Sequence, residues 1–467
     1  MSKVKRLETD YLIIGAGASG MAFADTLLSE TRNNMIIVDK FQKPGGHWNY
    51  AYPFVTLHQP SKFYGVGSTD LGHDKIDESG FNRGLINLAT GATINAYYEQ
   101  IMLDRFLPSG KVCYFPMCEY QGDGVFHSIL SGEIFEVTVK KKIVDATHMK
   151  TKVPSTHTPN FSVAPDVDFI PINSLTNLRT TPGGYVIIGG GKTGIDACLW
   201  LLEHQVDPKN ITWVISRDSW FTNRKNTQPT FESLKYFLND RASQLEALEK
   251  ANSIHDLFMR LEKSGVLLRL DKNVMPKMYH GATVSHLELE HLRQIKNIVR
   301  LGRVKQIEND RIILEQAEVP ITKDVVFVDC SASALNHAEL KPIFSQDAIT
   351  IQSVRAGQLV FSAAFIAHIE ATFPDNDAIK NDFCTEIPMP DKHTDWIKVN
   401  AISYMNQNKW SKNKELTQWL FSNRLDGFSH LIAMIGPDDK ELLEILDRIN
   451  RSIKPAMQQL KKFAAEI

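Results

Sequence analysis

The sequence predicts an α/β chain made of two similar parallel-sheet units, with a helical region at its carboxyl end. The first observation is a pair of glycine motifs, GAGASG at residues 15–20 and GGGKTG at residues 189–194. The second is their setting, because each motif follows a four-residue apolar run and precedes a stretch with the apolar spacing of a helix. Strand, glycine turn and helix in this order are typical of a Rossmann-like dinucleotide-binding unit. We therefore predict two Rossmann-like domains.

The first unit can be followed along the chain from its amino end. Residues 11–14 predict a buried strand, residues 19–29 a helix, and residues 35–38 a second strand. Residues 43–72 are rich in glycine, proline and aromatic side chains, which is typical of ordered loops over a ligand. Short alternating runs over residues 110–145 predict a small antiparallel meander.

The second unit follows a proline-rich stretch over residues 150–184, which we interpret as a linker. Its helix and second strand are expected at residues 193–204 and 211–215, before a charged helical insertion over residues 230–265. Four segments are predicted in chain order: the first domain over 1–180, the second domain inserted in it over 181–326, a return to the first domain over 327–395, and a helical region over 396–467.

Composition limits the kinds of partner. The 467 residues carry a net charge of −2, which gives no electrostatic basis for binding nucleic acid. We find no apolar run of about 18 residues, so no membrane span is expected and a cytoplasmic protein is predicted. No metal site is predicted. The exposed helical segments are compatible with a homodimer, and the sequence leaves the oligomeric state open.

The five cysteines do not predict a disulfide framework. Cys113 and Cys118 have a C-x4-C spacing that redox-active pairs also use, but they lie in a strand-like stretch that contains Pro116. Residues five apart in a strand point to opposite faces. We therefore expect these two side chains to be buried thiols.

The first motif has the chemistry of a dinucleotide site. Its glycines let the backbone turn tightly and approach a pyrophosphate, whose charge then lies on the helix start. Asp39 ends the second strand, where a carboxylate accepts hydrogen bonds from ribose hydroxyls. The candidate cofactor-binding residues of this site are Gly15, Gly17, Ala18, Ser19, Gly20, Asp39 and Lys40.

The second motif differs at the equivalent position, because its second strand is followed by Ser216 and Arg217. A carboxylate there favours the free ribose of NAD, whereas an arginine favours the 2′-phosphate of NADP through charge-assisted hydrogen bonds. We therefore predict NADPH rather than NADH. The candidate residues are Gly189, Gly191, Lys192, Thr193, Gly194, Ser216, Arg217 and Arg224.

The order of shorter elements between and after the two motifs resembles the flavin-containing monooxygenase superfamily. Residues 45–48 (GGHW) are similar to its GG-x-W element, residues 57–60 (LHQP) to its L-H-x-P stretch, and residues 215–217 with Trp220 to its NADP-phosphate loop. The resemblance covers residues 8–330. It implies FAD at the first motif, with Gly46 and Trp48 beside it, and NADPH at the second.

The same resemblance implies a mechanism. NADPH reduces the flavin, dioxygen forms a flavin C4a-hydroperoxide, and one oxygen atom goes to nitrogen, sulfur or a carbonyl carbon of a small molecule. The residues that it implies around the flavin are His47, Trp48, His58 and Gln59.

Several family elements are altered, which leaves the fate of the reduced flavin open. Asn173 stands where the family's F-x-G-x-x-x-H element has histidine, and the two Ala-Thr-Gly elements are changed at residues 146–148 and 329–333. Two alternatives to a monooxygenase therefore remain. One is an NADPH-dependent flavin reductase, dehydrogenase or oxidase without oxygen insertion, and the other is a low-turnover flavin-binding redox sensor or scaffold.

Overall fold

A computed structural model describes residues 4–73, 75–322, 324–332 and 338–467 of the chain. It contains two main sheets with helices packed against them and a helical carboxyl-terminal region. The predicted α/β class with two Rossmann-like domains is confirmed. Within these residues, no helix is at once long enough and apolar enough to cross a membrane.

The first domain is built on a seven-stranded sheet in which β3, β2, β1, β6, β5 and β4 are neighbours in that order and β19 also pairs with β6. Around β1 the pairing is parallel, and Leu12 lies opposite both Ile36 and Ile143. Continuous apolar runs form these strands because both faces of a parallel sheet are covered. The strands are β1 (Val4–Ile14), β2 (Met35–Val38), β3 (Val112–Phe115), β4 (Cys118–Gly122), β5 (Val125–Ser128), β6 (Ile134–Asp145) and β19 (Ala348–Thr350).

Apolar helices cover this sheet. Helix α1 is buried from Gly20 to Leu27, and it packs against α7, which is mostly apolar and largely buried. A helix that is apolar on every face belongs in a core. The helices of this domain are α1 (Ala18–Glu30), α2 (Gly91–Ile101), α7 (Leu359–Thr372) and α8 (Asp377–Phe383).

The second domain has a five-stranded parallel sheet in the order β14, β10, β9, β18, β8. Its strands are β8 (Phe169–Pro171), β9 (Gly184–Ile188), β10 (Ile211–Val214), β14 (Asn297–Val299) and β18 (Val325–Asp329), and its helices are α3 (Lys192–Glu203) and α6 (His286–Leu292). Two small sheets complete it: β11 (Ser219–Asn223), β12 (Leu267–Arg269) and β13 (Met278–Val284), and β7 (Ser162–Val163), β15 (Val304–Ile307), β16 (Arg311–Leu314) and β17 (Glu318–Pro320).

The remaining helices come from the insertion and from the carboxyl-terminal region. The insertion contributes α4 (Leu234–Lys250) and α5 (Ile254–Lys263), and the carboxyl-terminal region contributes α9 (Asp395–Trp410), α10 (Lys414–Ser422), α11 (Ser429–Ala433) and α12 (Lys440–Ala465). Helix α12 packs along α4 and α9, and these elements share an apolar cluster with β11. Helices α9 and α12 therefore cover the insertion of the second domain, whereas α10 packs against the apolar core of the first domain.

Several boundaries between segments differ in the structure from those predicted. Strand β8 lies inside the predicted linker and pairs with β18, so the second domain begins before residue 181. Strand β18 also stays in the second sheet, and the chain returns to the first sheet only at β19. Within residues 110–145, β3 pairs in parallel with β2, and only β4, β5 and part of β6 form the antiparallel meander.

The cysteines are all free thiols. Cys118, Cys198, Cys330 and Cys384 are buried, whereas Cys113 is exposed on β3, where we expected a buried thiol. Strand β3 is the edge strand of the first sheet, where it pairs with β2.

Candidate functional site

The first glycine loop leaves no room for a side chain at its first and last glycines. A Cβ at Gly20 would lie 1.9 Å from the carbonyl oxygen of Gly15, and a Cβ at Gly15 would lie 2.8 Å from Thr147 Cγ2. The loop therefore joins β1 to α1 in the tight turn that a dinucleotide site needs.

The second glycine loop repeats this geometry between β9 and α3. A Cβ at Gly194 would lie 2.0 Å from the carbonyl oxygen of Gly189, and one at Gly189 would lie 2.3 Å from that of Cys330. At Gly191, by contrast, no described atom comes within 4 Å of the position that a Cβ would take. Gly191 thus faces open space at the start of a helix.

Both helices that follow these loops begin without a side-chain cap. Gly17 precedes α1 and Gly191 precedes α3, and neither first turn carries an acidic residue. Helices α2 and α5 are instead capped by Thr90 and Ser253. Open N–H groups at a helix start attract anions, so both loops fit a pyrophosphate. The predicted residues in these first turns are Ala18, Ser19, Lys192 and Thr193.

The GGHW stretch lies directly on the first glycine loop. The Gly45 N–H donates to the carbonyl oxygen of Ala16 at 2.9 Å, and a Cβ at Gly46 would lie 2.9 Å from Gly17 Cα. The two motifs, which are distant in sequence, therefore form one surface. The resemblance to the flavin-containing monooxygenase superfamily likewise predicts Gly46 beside the first motif.

His47 and Trp48 follow in a short 3-10 helix, Gly46–Tyr50. The Trp48 indole N–H donates to Tyr64 Oη at 2.7 Å, and its ring packs against the apolar cores of both domains. Burial lowers the pKa of His47 to about 4, so its imidazole is neutral at neutral pH. Beside them, Asn95 Oδ1 is buried and finds no hydrogen-bond partner among the described residues, which leaves an acceptor for a ligand.

Asp39 is 5% exposed and holds the loop itself. One carboxylate oxygen accepts from the Ala16 N–H, and the other accepts from the Phe41 N–H at 2.8 Å. Burial raises its pKa, although these N–H groups oppose that shift. Lys40 is exposed, with Nζ 5.3 Å from the centre of the Phe41 ring. The ribose contact of Asp39 stays a prediction.

Lys192 and Thr193 lie where α3 meets the first domain. Lys192 Nζ pairs with both oxygens of Asp196, one turn along the helix. Tyr52, from the loops of the first domain, donates to Asp196 Oδ2 at 2.5 Å, and Thr193 also bonds to Tyr52. Burial raises the pKa of the Tyr52 phenol, which keeps it a donor. The start of α3 is therefore fixed against the first domain.

Arg217 lies partly exposed after β10, as predicted, but its guanidinium already has a partner. Nη1 and Nη2 donate to the two carboxylate oxygens of Asp391 at 2.8 and 2.6 Å. Ser216 beside it is exposed. Sequence reasoning missed Asp391, since it lies far along the chain in the segment before α9.

Arg224 is buried in the junction between the domains, 1% exposed. It donates to His58 O at 3.0 Å, Asn82 Oδ1 at 3.1 Å and Thr283 O at 3.0 Å, and it pairs with Glu288 Oε1 at 2.9 Å. A guanidinium committed to four protein acceptors is not available to a 2′-phosphate. We therefore correct the predicted cofactor role of Arg224 to a structural one.

His58 belongs to the same junction. Its ring Nδ1 accepts the Thr283 N–H at 3.1 Å, so the ring contacts the second domain. Burial, together with the positive charges of Lys192 and Arg224, lowers the pKa of His58 to about 3. Gln59 next to it is partly exposed. His58 is thus a neutral acceptor at the domain boundary, and its contact with a flavin stays a prediction.

The ends of β6 and β18 form a matching pair that sequence reasoning treated only as altered motifs. Asp145 Oδ1 accepts the N–H and hydroxyl of Thr147, both at 2.8 Å, beside the first glycine loop. Asp329 Oδ1 accepts the N–H and hydroxyl of Ser331 at 2.9 and 2.6 Å, beside the second. The shared D-x-[ST] pattern was the available signal. Ser333, part of the second altered element, lies outside the described residues.

Two sheets, each with a tight glycine loop that joins a parallel strand to the next helix, β1 to α1 and β9 to α3, define a protein with two dinucleotide-binding domains. The chain belongs to the family of the uncharacterized protein Rv2000 of Mycobacterium tuberculosis. The two are 45% identical over 458 residues, which is 98% of this chain and 85% of the relative. An uncharacterized protein of Mycobacterium bovis matches to the same extent. No protein-family model matches the chain.

Three solved structures with a similar course of the chain are distant in sequence. Cyclohexanone monooxygenase from Rhodococcus sp. Phi1 bound to NADP+ is 12% identical with a TM-score of 0.47, over 97% of this chain and 99% of that one. A flavin monooxygenase from Stenotrophomonas maltophilia is 13% identical with a TM-score of 0.42, over 79% and 99%. Bacillithiol disulfide reductase from Bacillus cereus is 14% identical with a TM-score of 0.43, over 78% and 99%. At these values the likenesses carry no argument about activity.

Proposed function

We propose that this protein is an oxidoreductase that binds FAD at the first glycine loop and NADPH at the second. The observation that carries the proposal is the pair of uncapped helix starts, each behind a loop whose tightest glycines cannot be replaced without a clash. Such a pair suits a hydride donor and a hydride acceptor held by one chain.

Each part of the chain has a defined task in this proposal. The amides at the start of α1 bind the FAD pyrophosphate, with Gly46 and Trp48 beside it, and those at the start of α3 bind the pyrophosphate of NADPH. Trp48 contacts both cores and helps to exclude water between them. When bound, NADPH and FAD would supply hydride and electron transfer to an acceptor, which in a monooxygenase is dioxygen, with one oxygen atom going to a small-molecule substrate.

The finer proposal is a monooxygenase acting at nitrogen, sulfur or a carbonyl group, and it is supported by the GGHW and LHQP stretches. GGHW lies on the first glycine loop, and LHQP contributes His58 to the junction beside Lys192. A reductase without oxygen insertion is the second candidate. It is favoured by the altered Ala-Thr-Gly elements at residues 146–148 and 329–333, where the sequence departs from the monooxygenase pattern.

Two measurements test the proposal in turn. The purified protein, reconstituted with FAD, should show flavin absorption bands and oxidise NADPH. A protein that takes up no flavin would contradict the whole proposal. Product from a panel of amines, sulfides and ketones should then contain oxygen from isotope-labelled dioxygen. NADPH oxidation that yields only hydrogen peroxide, or that proceeds with an organic acceptor under anaerobic conditions, would favour the reductase.

A further inference from the structure

The ion pair between Arg217 and Asp391 lies where the second site would meet a 2′-phosphate. Both side chains are partly exposed, 33% and 29%, so the pair lines a surface that a ligand can reach. The two nitrogen–oxygen contacts, 2.8 and 2.6 Å, form the bidentate geometry that a phosphate would also use. Carboxylate and phosphate therefore compete for the same face of the guanidinium.

Asp391 is held in place by its backbone as part of the second domain. Its N–H donates to Asp395 Oδ2 at 2.8 Å, and its carbonyl oxygen accepts the Tyr279 N–H at 3.1 Å. The neighbouring residue Lys392 forms an antiparallel bridge with Met278. The segment thus continues the small sheet beyond β13, and the carboxylate stands beside Arg217 as a fixed element of the site.

A third group completes the arrangement. His280 Nε2 lies 3.1 Å from Asp391 Oδ1, the oxygen that also accepts from Arg217 Nη2. Hydrogen bonds from Arg217 hold the pKa of the Asp391 carboxyl well below its usual range, and burial opposes this only in part. The carboxylate is therefore ionised at neutral pH and accepts hydrogen bonds without donating any.

The two nicotinamide dinucleotides place opposite demands on such a site. The 2′-phosphate of NADPH is an anion without a strong donor at neutral pH, so it must open the Arg217 pair and approach a like charge. The free 2′-hydroxyl of NADH can donate to Asp391 while the pair stays closed. Arg217 alone predicts NADPH, but Arg217 bound to Asp391 presents a neutral pair.

We propose that Asp391 is a specificity-determining residue of the second dinucleotide site, where it competes with the 2′-phosphate for Arg217 and weakens the preference for NADPH. This inference rests on the proposed function only in requiring that a nicotinamide dinucleotide binds at the second glycine loop. It needs neither bound flavin nor turnover to be tested.

Isothermal titration of the full chain with adenosine 2′,5′-bisphosphate and with adenosine 5′-monophosphate measures the preference directly. In Asp391→Asn, and in Asp391→Ser, the affinity for the bisphosphate relative to the monophosphate should rise about tenfold, the scale of one charge-assisted contact. Glu318→Gln removes an exposed carboxylate that pairs with Arg311 in the same domain, and it should leave the ratio unchanged. In the double variant with Arg217→Met and Asp391→Asn, the affinity for the bisphosphate relative to the monophosphate should not rise.

The outcomes separate the two proposals. An unchanged ratio in both Asp391 variants, with both probes still binding and melting temperatures like that of the native protein, would overturn the role of Asp391 and leave the proposed function intact. If neither probe binds even the native protein, the dinucleotide site fails, and the role of Asp391 fails with it.

Discussion

At Gly191, a single substitution can test binding of the dinucleotide without disturbing the fold. Its backbone has φ −87°, which any residue adopts, and no described atom lies within 4 Å of a Cβ at that position. Gly191→Ala should therefore change the melting temperature little, because the lower entropy of the unfolded chain offsets the preference for glycine over alanine at a helix N-cap. The added methyl group would occupy the approach of the pyrophosphate, so we expect the affinity for NADPH to fall about 100-fold, measured by titration.

Gly194→Ala is the matched control for that variant. Its Cβ would lie 2.0 Å from the carbonyl oxygen of Gly189, so the backbone must shift. We expect a loss of about 1–3 kcal/mol in the free energy of unfolding, which thermal melting measures. If Gly191→Ala bound NADPH as the native protein does, the pyrophosphate would have to bind elsewhere.

His58 makes stability depend on pH. Its pKa is about 3 in the folded protein against an ordinary value of 6.5, so the folded state favours the neutral ring. The stabilisation is present above pH 6.5 and is lost as the pH falls from 6.5 towards 3. His58→Asn keeps an acceptor for the Thr283 N–H but does not titrate. At pH ~5 it should be more stable than the native protein by about 2 kcal/mol, relative to their difference at neutral pH.

Melting temperatures measured across this pH range check the prediction. The exposed His255 provides the control, since His255→Asn should follow the native curve. Parallel curves for His58→Asn and the native protein would contradict a neutral, buried His58.

At the scale of elements, one buried ion pair ties three parts of the first domain together. Lys380 on α8 and Glu370 on α7 are 0% and 3% exposed and lie 2.6 Å apart, and Tyr11 on β1 donates to the same carboxylate at 2.9 Å. Lys380→Met would leave Glu370 charged and buried. We expect a loss of about 3–5 kcal/mol in the free energy of unfolding, measured by denaturant titration.

Lys409→Met is the matched comparison for Lys380→Met. Lys409 pairs with Asp382 at the surface, where the two side chains are 31% and 65% exposed. Solvent screens such a pair, so its loss should cost less than about 1 kcal/mol. Equal effects of the two substitutions would show that burial does not decide the outcome.

At the scale of the whole molecule, Arg224 joins the two domains. It is bound by His58 and Asn82 from the first domain and by Thr283 and Glu288 from the second. Arg224→Met should therefore lower the free energy of unfolding by about 3–5 kcal/mol, because Glu288 would stay buried without its partner. Thermal melting measures this loss.

Arg217→Met gives the contrast, since Arg217 follows β10 and Arg224 follows β11, the next strand along the chain. Arg217 is partly exposed, and its loss should change stability by about 1 kcal/mol or less while weakening the binding of adenosine 2′,5′-bisphosphate. If Arg224→Met melted like the native protein but lost binding of the bisphosphate, a cofactor role for Arg224 would be restored.

The two glycine loops and the helices behind them could be predicted because their geometry is local. Gly20 and Gly194 each approach the carbonyl oxygen of the glycine that opens the same motif, Gly15 or Gly189, so sequence and structure specify the same turn. The sheet order and the extra edge strand β8 could not be predicted in this way. Phe169–Pro171 is too short to show a strand pattern, and it forms a strand only because β18 lies beside it.

The sequence by itself determined that two dinucleotide-type units occur, where each begins, and that an arginine follows the second strand of the second unit. Only the tertiary structure decided what that arginine meets. Arg217 faces a carboxylate supplied by the segment before α9, and Arg224 is enclosed by four acceptors from both domains. The physical reason is that the free energy of a charged side chain depends on its surroundings, and those surroundings come from residues that are distant in the chain.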